Sequence, residues 1–333
     1  MSDVVPEGFE EVDCPGCGGK QWSVARTGRD WALDPKRMLH VVRCQACGLN
    51  FTNPRPDAEH IGAYYASGYS CYQPQRGENE RSSRASTAVR MWVMAAAYGA
   101  PEKQPRGWRA AVAGVVGVVK PAGKFGFGLP YQGHGRWLDF GCGNGTLLRR
   151  MAALGWTCTG MDISPDAVAS VRASGMAAVQ GSLPNAELAA GSFDVITMRH
   201  SLEHVPNPRE VIAAAFDLLS PGGRLIINVP NLDSWEIDYF GDAAITLDLP
   251  RHLTHFTQGT LRDLLVSCGF ADVSVRQNSR AGWFKKALDR VHQRGSSRRL
   301  DSWLKFNSIR RAVALRAKWL GRGNELFASA RKP

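Results

Sequence analysis

Apolar residues between positions 136 and 275 recur with two alternating periods. Short continuous runs read as buried strands: Trp137 to Phe140, Trp156 to Met161, Phe193 to Met198 and Arg224 to Val229, with a weaker one near Ala177 to Gln180. Between them the spacing changes to three and four, as in Leu147, Leu148, Met151 and Leu154, and helices are expected over 165–173 and 208–219. Strands that alternate with helices predict βαβ units and a parallel sheet. Thr257 then opens an amphipathic helix carrying Leu261, Leu264 and Leu265, Cys268-Gly269-Phe270 ends it, and a strand follows at 272–277.

The first strand breaks into Gly141-Cys142-Gly143-Asn144-Gly145 before the next helix begins. Strand, glycine turn and helix make a nucleotide site, because glycine lets the backbone approach the ligand and the helix N-terminus offers free N–H groups. A dinucleotide fingerprint would need glycine at 146, where Thr146 stands. That argues against NAD and FAD. Asp162 ends the second strand, where a carboxylate can accept both ribose hydroxyls.

LDFGCGNG (138–145), Asp162, GSL (181–183), FDVITMRHSLEHV (193–205) and LSPGGRLIINVPN (219–231), in that order, resemble the class I S-adenosylmethionine-dependent methyltransferases. The resemblance covers 136–275, and NELFASARKP at the end fits the family's last antiparallel strand. It implies an α/β fold with a doubly wound, seven-stranded, Rossmann-like sheet. It places Gly141, Gly143 and Gly145 near the methionine part of S-adenosylmethionine, Asp139 at its amino group, Asp162 at the ribose, and Ser182 and Leu183 at the adenine edge. Relatives often carry Asp where Ser182 stands; a hydroxyl can serve the same adenine amine.

Ahead of this core, Cys14-Pro-Gly-Cys17-Gly and Cys44-Gln-Ala-Cys47-Gly are two matched CxxC knuckles separated by 26 residues. Four thiolates in that arrangement suit a closed tetrahedral zinc site, structural because the motif leaves no open position. Four unrelated thiols are the alternative, and a redox pair is disfavoured because the pairs match and neither opens a thioredoxin-like unit. Cys71, Cys142, Cys158 and Cys268 read as packing residues. A knuckle pair before a methyltransferase core is similar to the zinc-containing methyltransferases of sugar and cell-surface glycan pathways. In those the zinc module helps close the substrate site. Tyr64, Tyr65, Tyr69 and Tyr72 then read either as helix packing or as a lid lining the pocket.

Methyl transfer requires an aligned acceptor and a group to remove its proton. His200, Glu203 and His204 follow the fourth strand, and His252 and His255 follow the fifth. Imidazole titrates near neutrality. In order of preference the candidate bases are His204, His255, His200 and His252. A helix over 200–204 would stack two imidazoles, with Glu203 orienting one. The alternative for each is a loop or capping hydrogen bond, and HSLEH is not the HExxH of zinc proteases.

Composition changes the picture in one place. Of a net charge of +11, residues 276–333 carry sixteen Lys or Arg against three acids, a net of +13, which leaves −2 for the rest. Residues 281–321 predict two basic amphipathic helices, one with a stripe of Trp283, Phe284, Ala287, Leu288 and Val291, the other with Trp303, Phe306, Val313, Ala317 and Leu320. Such helices suit a membrane interface or a helical cap with a solvated face. Nucleic acid ranks third, since no recognition motif accompanies the charge. The stretches 88–100 and 110–119 are too short to span a bilayer, and the acidic opening lacks a signal pattern. A cytoplasmic protein is expected, with peripheral contact at the inner membrane face through 281–321.

The expected organisation is a zinc module at 1–56, a helical lid or linker at 57–130 and the methyltransferase core at 131–333. The expected acceptor is a sugar or other small polar metabolite, free or lipid-linked. The alternative is an RNA base methyltransferase; a DNA base enzyme lacks its Asn-Pro-Pro-Tyr-like turn, and a silent scaffold is disfavoured by the intact glycine turn and Asp162.

Overall fold

The structure is a computed structural model that describes residues 5–31, 33–65, 84–119, 130–293, 295 and 300–333. Tyr69, Cys71 and Tyr72, singled out above, lie outside the described residues, as do Arg294, Arg298 and Arg299 of the basic segment. The N-terminal part holds β1 (Phe9–Glu10), β2 (Trp22–Arg29), β3 (Met38–Cys44), β4 (Asn50–Thr52) and β5 (Arg55–Pro56), followed by α1 (Arg84–Tyr98) and α2 (Trp108–Val119). Next come β6 (Arg136–Phe140), α3 (Thr146–Ala153), β7 (Thr157–Asp162), α4 (Pro165–Ala173), β8 (Ala177–Gln180), β9 (Phe193–Arg199), α5 (Pro208–Leu218) and β10 (Leu219–Pro230). The chain ends with α6 (Trp235–Phe240), β11 (Thr254–His255), α7 (Gln258–Ser267), β12 (Ala271–Asn278), α8 (Ala281–Gln293), α9 (Asp301–Leu304), α10 (Asn307–Trp319) and β13 (Glu325–Arg331).

Seven strands form one sheet in the order β12-β13-β10-β9-β6-β7-β8. β6 pairs in parallel with β7 and β9, β7 pairs in parallel with β8, and β12 and β13 are antiparallel. The expected Rossmann-like methyltransferase sheet with its late antiparallel strand is therefore present. A second sheet, ordered β11-β4-β3-β2, joins the N-terminal strands to Thr254 and His255, which pair with Phe51 and Asn50.

Contacts divide the chain into two units. One comprises Met1–Ser67, Arg199–Phe216 and Ile227–Arg331; the other comprises Gly68–Met198, Asp217–Ile226 and Lys332–Pro333. In the latter, Trp137, Leu138, Leu148, Met151, Met161 and Ile196 are fully buried, so the continuous apolar runs are strands covered on both faces. In the former, Leu39, Val41, Ile237, Phe240, Phe284, Leu288, Leu304 and Ala314 share one core, which ties the basic C-terminal helices to the N-terminal strands.

Two local expectations are corrected. Residues 200–204 do not form a helix with stacked imidazoles: His200 has φ 52°, its N–H donates to the Asn228 carbonyl, and only Leu202–His204 make a 3-10 turn. The second basic stripe is also not one face, because Phe306 is extended and interrupts the helical period between α9 and α10. Ala314 and Ala317 turn inward, whereas Trp303, Phe306 and Leu320 are exposed together with Leu315 and Trp319.

Candidate functional site

The glycine turn belongs to the second unit and is built almost wholly from neighbouring segments. Gly141, Gly143 and Gly145 have φ of 73°, 51° and 72°, a region costly for residues with a Cβ. At Gly145 a Cβ would also lie 2.9 Å from Val171 Cγ2. The N–H groups of Gly141 and Cys142 donate to the Met161 carbonyl, so β7 fixes where the turn leaves the sheet. Thr146 donates its N–H and hydroxyl to Asn144 Oδ1, which closes the first turn of α3.

Asp162 ends β7 and accepts from the Gly143 N–H at 2.8 Å and the Ser164 N–H at 2.9 Å. Burial nevertheless raises its pKa, the two N–H bonds opposing the shift. Asp139 is buried and accepts from Thr197 Oγ1 at 2.6 Å, while Trp137 Nε1 donates to that hydroxyl at 3.0 Å. Leu183 is buried and Ser182 half-buried. All seven residues predicted to hold the cofactor thus lie on β6, β7, the turn between β6 and α3, or the turn after β8. Cys142 is buried among them, and burial with the nearby carboxylates pushes its thiol pKa up, as suits a packing residue.

Asp194 is a residue that motif reading missed. It accepts from the backbone N–H of His134 and Arg136, from the Arg136 guanidinium at 2.9 and 3.2 Å, and from Ser220 Oγ. Burial opposes its ionisation, but these donors win and hold its carboxyl at about 2. Its partners are a basic residue opening β6 and a serine at the start of β10, a combination without a local signature.

The other two donor clusters lie in the first unit. Cys14 and Cys47 place their sulfurs 3.6 Å apart, as do Cys17 and Cys44, and all four sulfurs lie within 4.8 Å of one another. Four ligands about 2.3 Å from a tetrahedral ion stand at nearly that separation. Both knuckles have the same backbone: Gly18 and Gly48 have φ near 74° and donate to the carbonyls of Cys14 and Cys44. Burial raises the Cys44 pKa, yet the N–H groups of Cys47 and Ala46 outweigh it and bring the thiol to about 7. The residues fit a thiolate-held ion.

The five candidate proton-handling residues are brought together in part. His204 Nδ1 lies 2.9 Å from both the Tyr65 hydroxyl and the Arg251 carbonyl, and its ring is 4.9 Å from that of His252. Since a carbonyl only accepts, His204 carries its proton on Nδ1. The same holds for His252, whose Nδ1 lies 3.0 Å from the Thr246 carbonyl. Burial, reinforced by His204, lowers the His252 pKa to about 4, so it is a neutral imidazole at pH 7. His255 is buried behind it; burial lowers its pKa to about 3, and its Nε2 lies 3.0 Å from Thr52 Oγ1. Thr52 gives its own proton to the His252 carbonyl, so His255 donates to that hydroxyl.

His200 behaves oppositely. Burial lowers its pKa, but Glu203 at 3.3 Å and Glu325 at 3.0 Å outweigh it and favour the cation. Arg280 pairs with the same Glu325, which is held at about 2 despite burial. His200 therefore sits in an ion-pair network, with its ring edge on Trp283. Tyr65, Arg251, Thr246 and Glu325 complete the arrangement. Of these, only Tyr65 was flagged by the sequence pattern.

Strand order and glycine turn together define a class I methyltransferase domain of the S-adenosylmethionine-dependent type. Comparison with known proteins agrees: residues 118–275 match the family described as "Methyltransferase domain". A curated ubiquinone biosynthesis O-methyltransferase from Xanthomonas oryzae pv. oryzae is 36% identical over 130 residues, which are 36% of this chain and 54% of that protein. Its counterpart from Xanthomonas axonopodis pv. citri is 35% identical over the same shares. The chain thus spans about half the length of the curated relatives it matches. Among solved structures, a possible histamine N-methyltransferase from Thermotoga maritima aligns at 19% identity with TM-score 0.42, covering 61% of this chain and 84% of that one. A methyltransferase from Archaeoglobus fulgidus aligns at 19% identity with TM-score 0.43, covering 66% and 94%.

Proposed function

We propose that the protein transfers the methyl group of S-adenosylmethionine to a small polar acceptor, a sugar or comparable metabolite, free or carried on a lipid. The observation that carries this reading is the turn in which three glycines adopt positive φ while Asp162 grips the Gly143 N–H. A bound nucleoside would compete for that carboxylate through its ribose hydroxyls, and the raised pKa shows how little solvent now supports its charge. The named activity of the Xanthomonas relatives supports a small-molecule acceptor and transfer to oxygen.

Chemically, the acceptor oxygen attacks the sulfonium methyl carbon, the carbon–sulfur bond breaks, and the acceptor's proton must leave. His252, a neutral imidazole, and His204 beside it are the groups of the first unit suited to that task, whereas Glu203 and Glu325 favour the cation of His200. The four cysteines are proposed to hold one structural zinc. Basic helices α8 to α10 are proposed to meet an anionic membrane surface, which favours a lipid-linked acceptor.

The test combines binding and turnover. Asp162→Ala should weaken S-adenosylmethionine binding by about 1.5–3 kcal/mol, the worth of hydrogen bonds to a charged group. Calorimetry showing unchanged affinity would remove the cofactor assignment. Labelled methyl transfer screened against lipid, sugar-nucleotide and RNA fractions should mark the first two. Labelling confined to RNA would replace the acceptor proposed here with a nucleic-acid base.

A further inference from the structure

Glu203 is the least explained polar residue in the first unit. Its carboxylate is 1% exposed, and neither oxygen receives a hydrogen bond. His200 Nδ1 stands 3.3 Å from Oε1 but off hydrogen-bonding alignment, and His200 also serves Glu325. His200 pairs with this carboxylate but shares its charge with Glu325, so a buried carboxylate that accepts no hydrogen bond can take a second cation.

The groups around Glu203 suggest which cation. His204 and His252 both carry a proton on Nδ1, fixed by the carbonyls of Arg251 and Thr246, which leaves Nε2 as the atom each can offer to an ion. Binding one ring nitrogen to a backbone carbonyl is the usual way to orient a metal-ligating histidine. One ligand atom from each of Glu203, His204 and His252 can be chosen so that all lie within 4.8 Å of one another. The rings meet edge-on at 66°, not stacked. Glu203 and His204 come from the 3-10 turn after β9, and His252 from the loop before β11, so their juxtaposition is tertiary.

We infer that Glu203, His204 and His252 form a divalent-metal site separate from the four cysteines, taking a first-row ion such as Mn2+, Fe2+, Co2+ or Zn2+. Two imidazoles and one carboxylate suit these ions, whereas the all-oxygen shells preferred by Ca2+ and Mg2+ are not offered. Three protein ligands leave positions open, and a chelating pair of oxygens from a small molecule is the natural occupant. The site does not depend on the methyl-transfer reading; with an ion bound, His204 and His252 are ligands and do not themselves remove the acceptor's proton.

The experiment uses the full chain and Co2+ alone. After equilibrium dialysis, the metal content and visible spectrum of the wild type, Glu203→Gln and His252→Ala are compared. Thiolate-bound cobalt shows an intense sulfur-to-metal charge-transfer band, and cobalt on nitrogen and oxygen does not. The wild type should bind two ions per chain, one without that band. Each variant should lose that ion and keep the band, which also reports an intact cysteine module. A wild type that binds only the thiolate-held ion overturns the proposal, whatever the variants do. So does a bandless ion that persists in both variants.

Discussion

The glycine turn and the histidine cluster are assembled in opposite ways. What shapes the turn comes from β6, α3, β7, α4 and the residues between them, so its hydrogen bonds span at most about one βα unit, as from Asp162 to Gly143. The histidine cluster draws on Thr52, Tyr65, His200 to His204, Thr246 to His255, Arg280 and Glu325, with partners 139 residues apart for Tyr65 and His204. A site made from one stretch of chain leaves a motif. A site made from six stretches leaves scattered polar residues whose roles depend on which carbonyl or carboxylate they meet.

The cysteine knuckles lie between these extremes, and they offer the strongest perturbation. Each knuckle is a local turn, but they meet only because β2 and β3 pair with Trp22 opposite Cys44. Structural zinc sites contribute on the order of 10 kcal/mol of apparent binding energy to small modules. Cys44→Ser should therefore abolish the thiolate-held ion and expose the amides of β2 and β3 to hydrogen exchange. The amides of β6 and β7 should remain protected. Retained metal and unchanged exchange in β2 and β3 would show that the knuckles hold together without an ion.

Asp194 tests the local side of the comparison at smaller scale. Its carboxyl is lowered from the usual range to about 2, burial being overcome by the Arg136 fork and the backbone donors. A depressed carboxylate stabilises the fold fully above its unfolded value and loses that contribution as pH falls through the folded one. Asp194→Asn should thus cost about 2 kcal/mol near neutrality, and less as pH drops from about 4 toward 2. Denaturant melts of the two proteins across that interval check the sign. A difference that grows on acidification would contradict the assigned network.

Much of the fold was legible in the sequence for a physical reason. Strands buried on both faces are continuous apolar runs, and helix α4 begins and ends where its Pro165 and apolar spacing require. The seven residues proposed to hold the cofactor were placed by that same frame, and the four cysteines by their matched spacing. The local conformation at His200 was not legible, because sheet-like hydrogen bonding to Asn228 overrides the helical spacing of HSLEH. Nor could sequence tell that Asp194 needs Gly133 beside it, where a Cβ would lie 2.5 Å from the carboxylate.

The C-terminal helices show the same divide within one element, and they provide the last prediction. Composition announced a basic amphipathic segment, but the face it turns outward was misread. Arg310 is buried and donates to the Leu304 and Lys305 carbonyls, so it fastens α9 to α10 and is unavailable to lipid. The outward surface instead carries Leu315, Trp319 and Leu320, with Trp303 and Phe306 before the helix, at 53–84% exposure. Lys305, Arg311, Arg316, Lys318 and Arg322 are exposed among them. Aromatic and aliphatic side chains set among cations suit the headgroup region of an anionic bilayer, and no described helix is long and apolar enough to cross one. Each basic residue near such a surface contributes about 1 kcal/mol, screened by salt. In flotation with anionic vesicles, Arg311→Glu/Arg316→Glu should release most of the bound protein, and Trp319→Ala should lower binding by a factor of several. Neutral vesicles should retain little. Wild-type protein that stays unbound at low salt would leave α8 to α10 as a cap over their shared core, and the lipid-linked acceptor would lose its support.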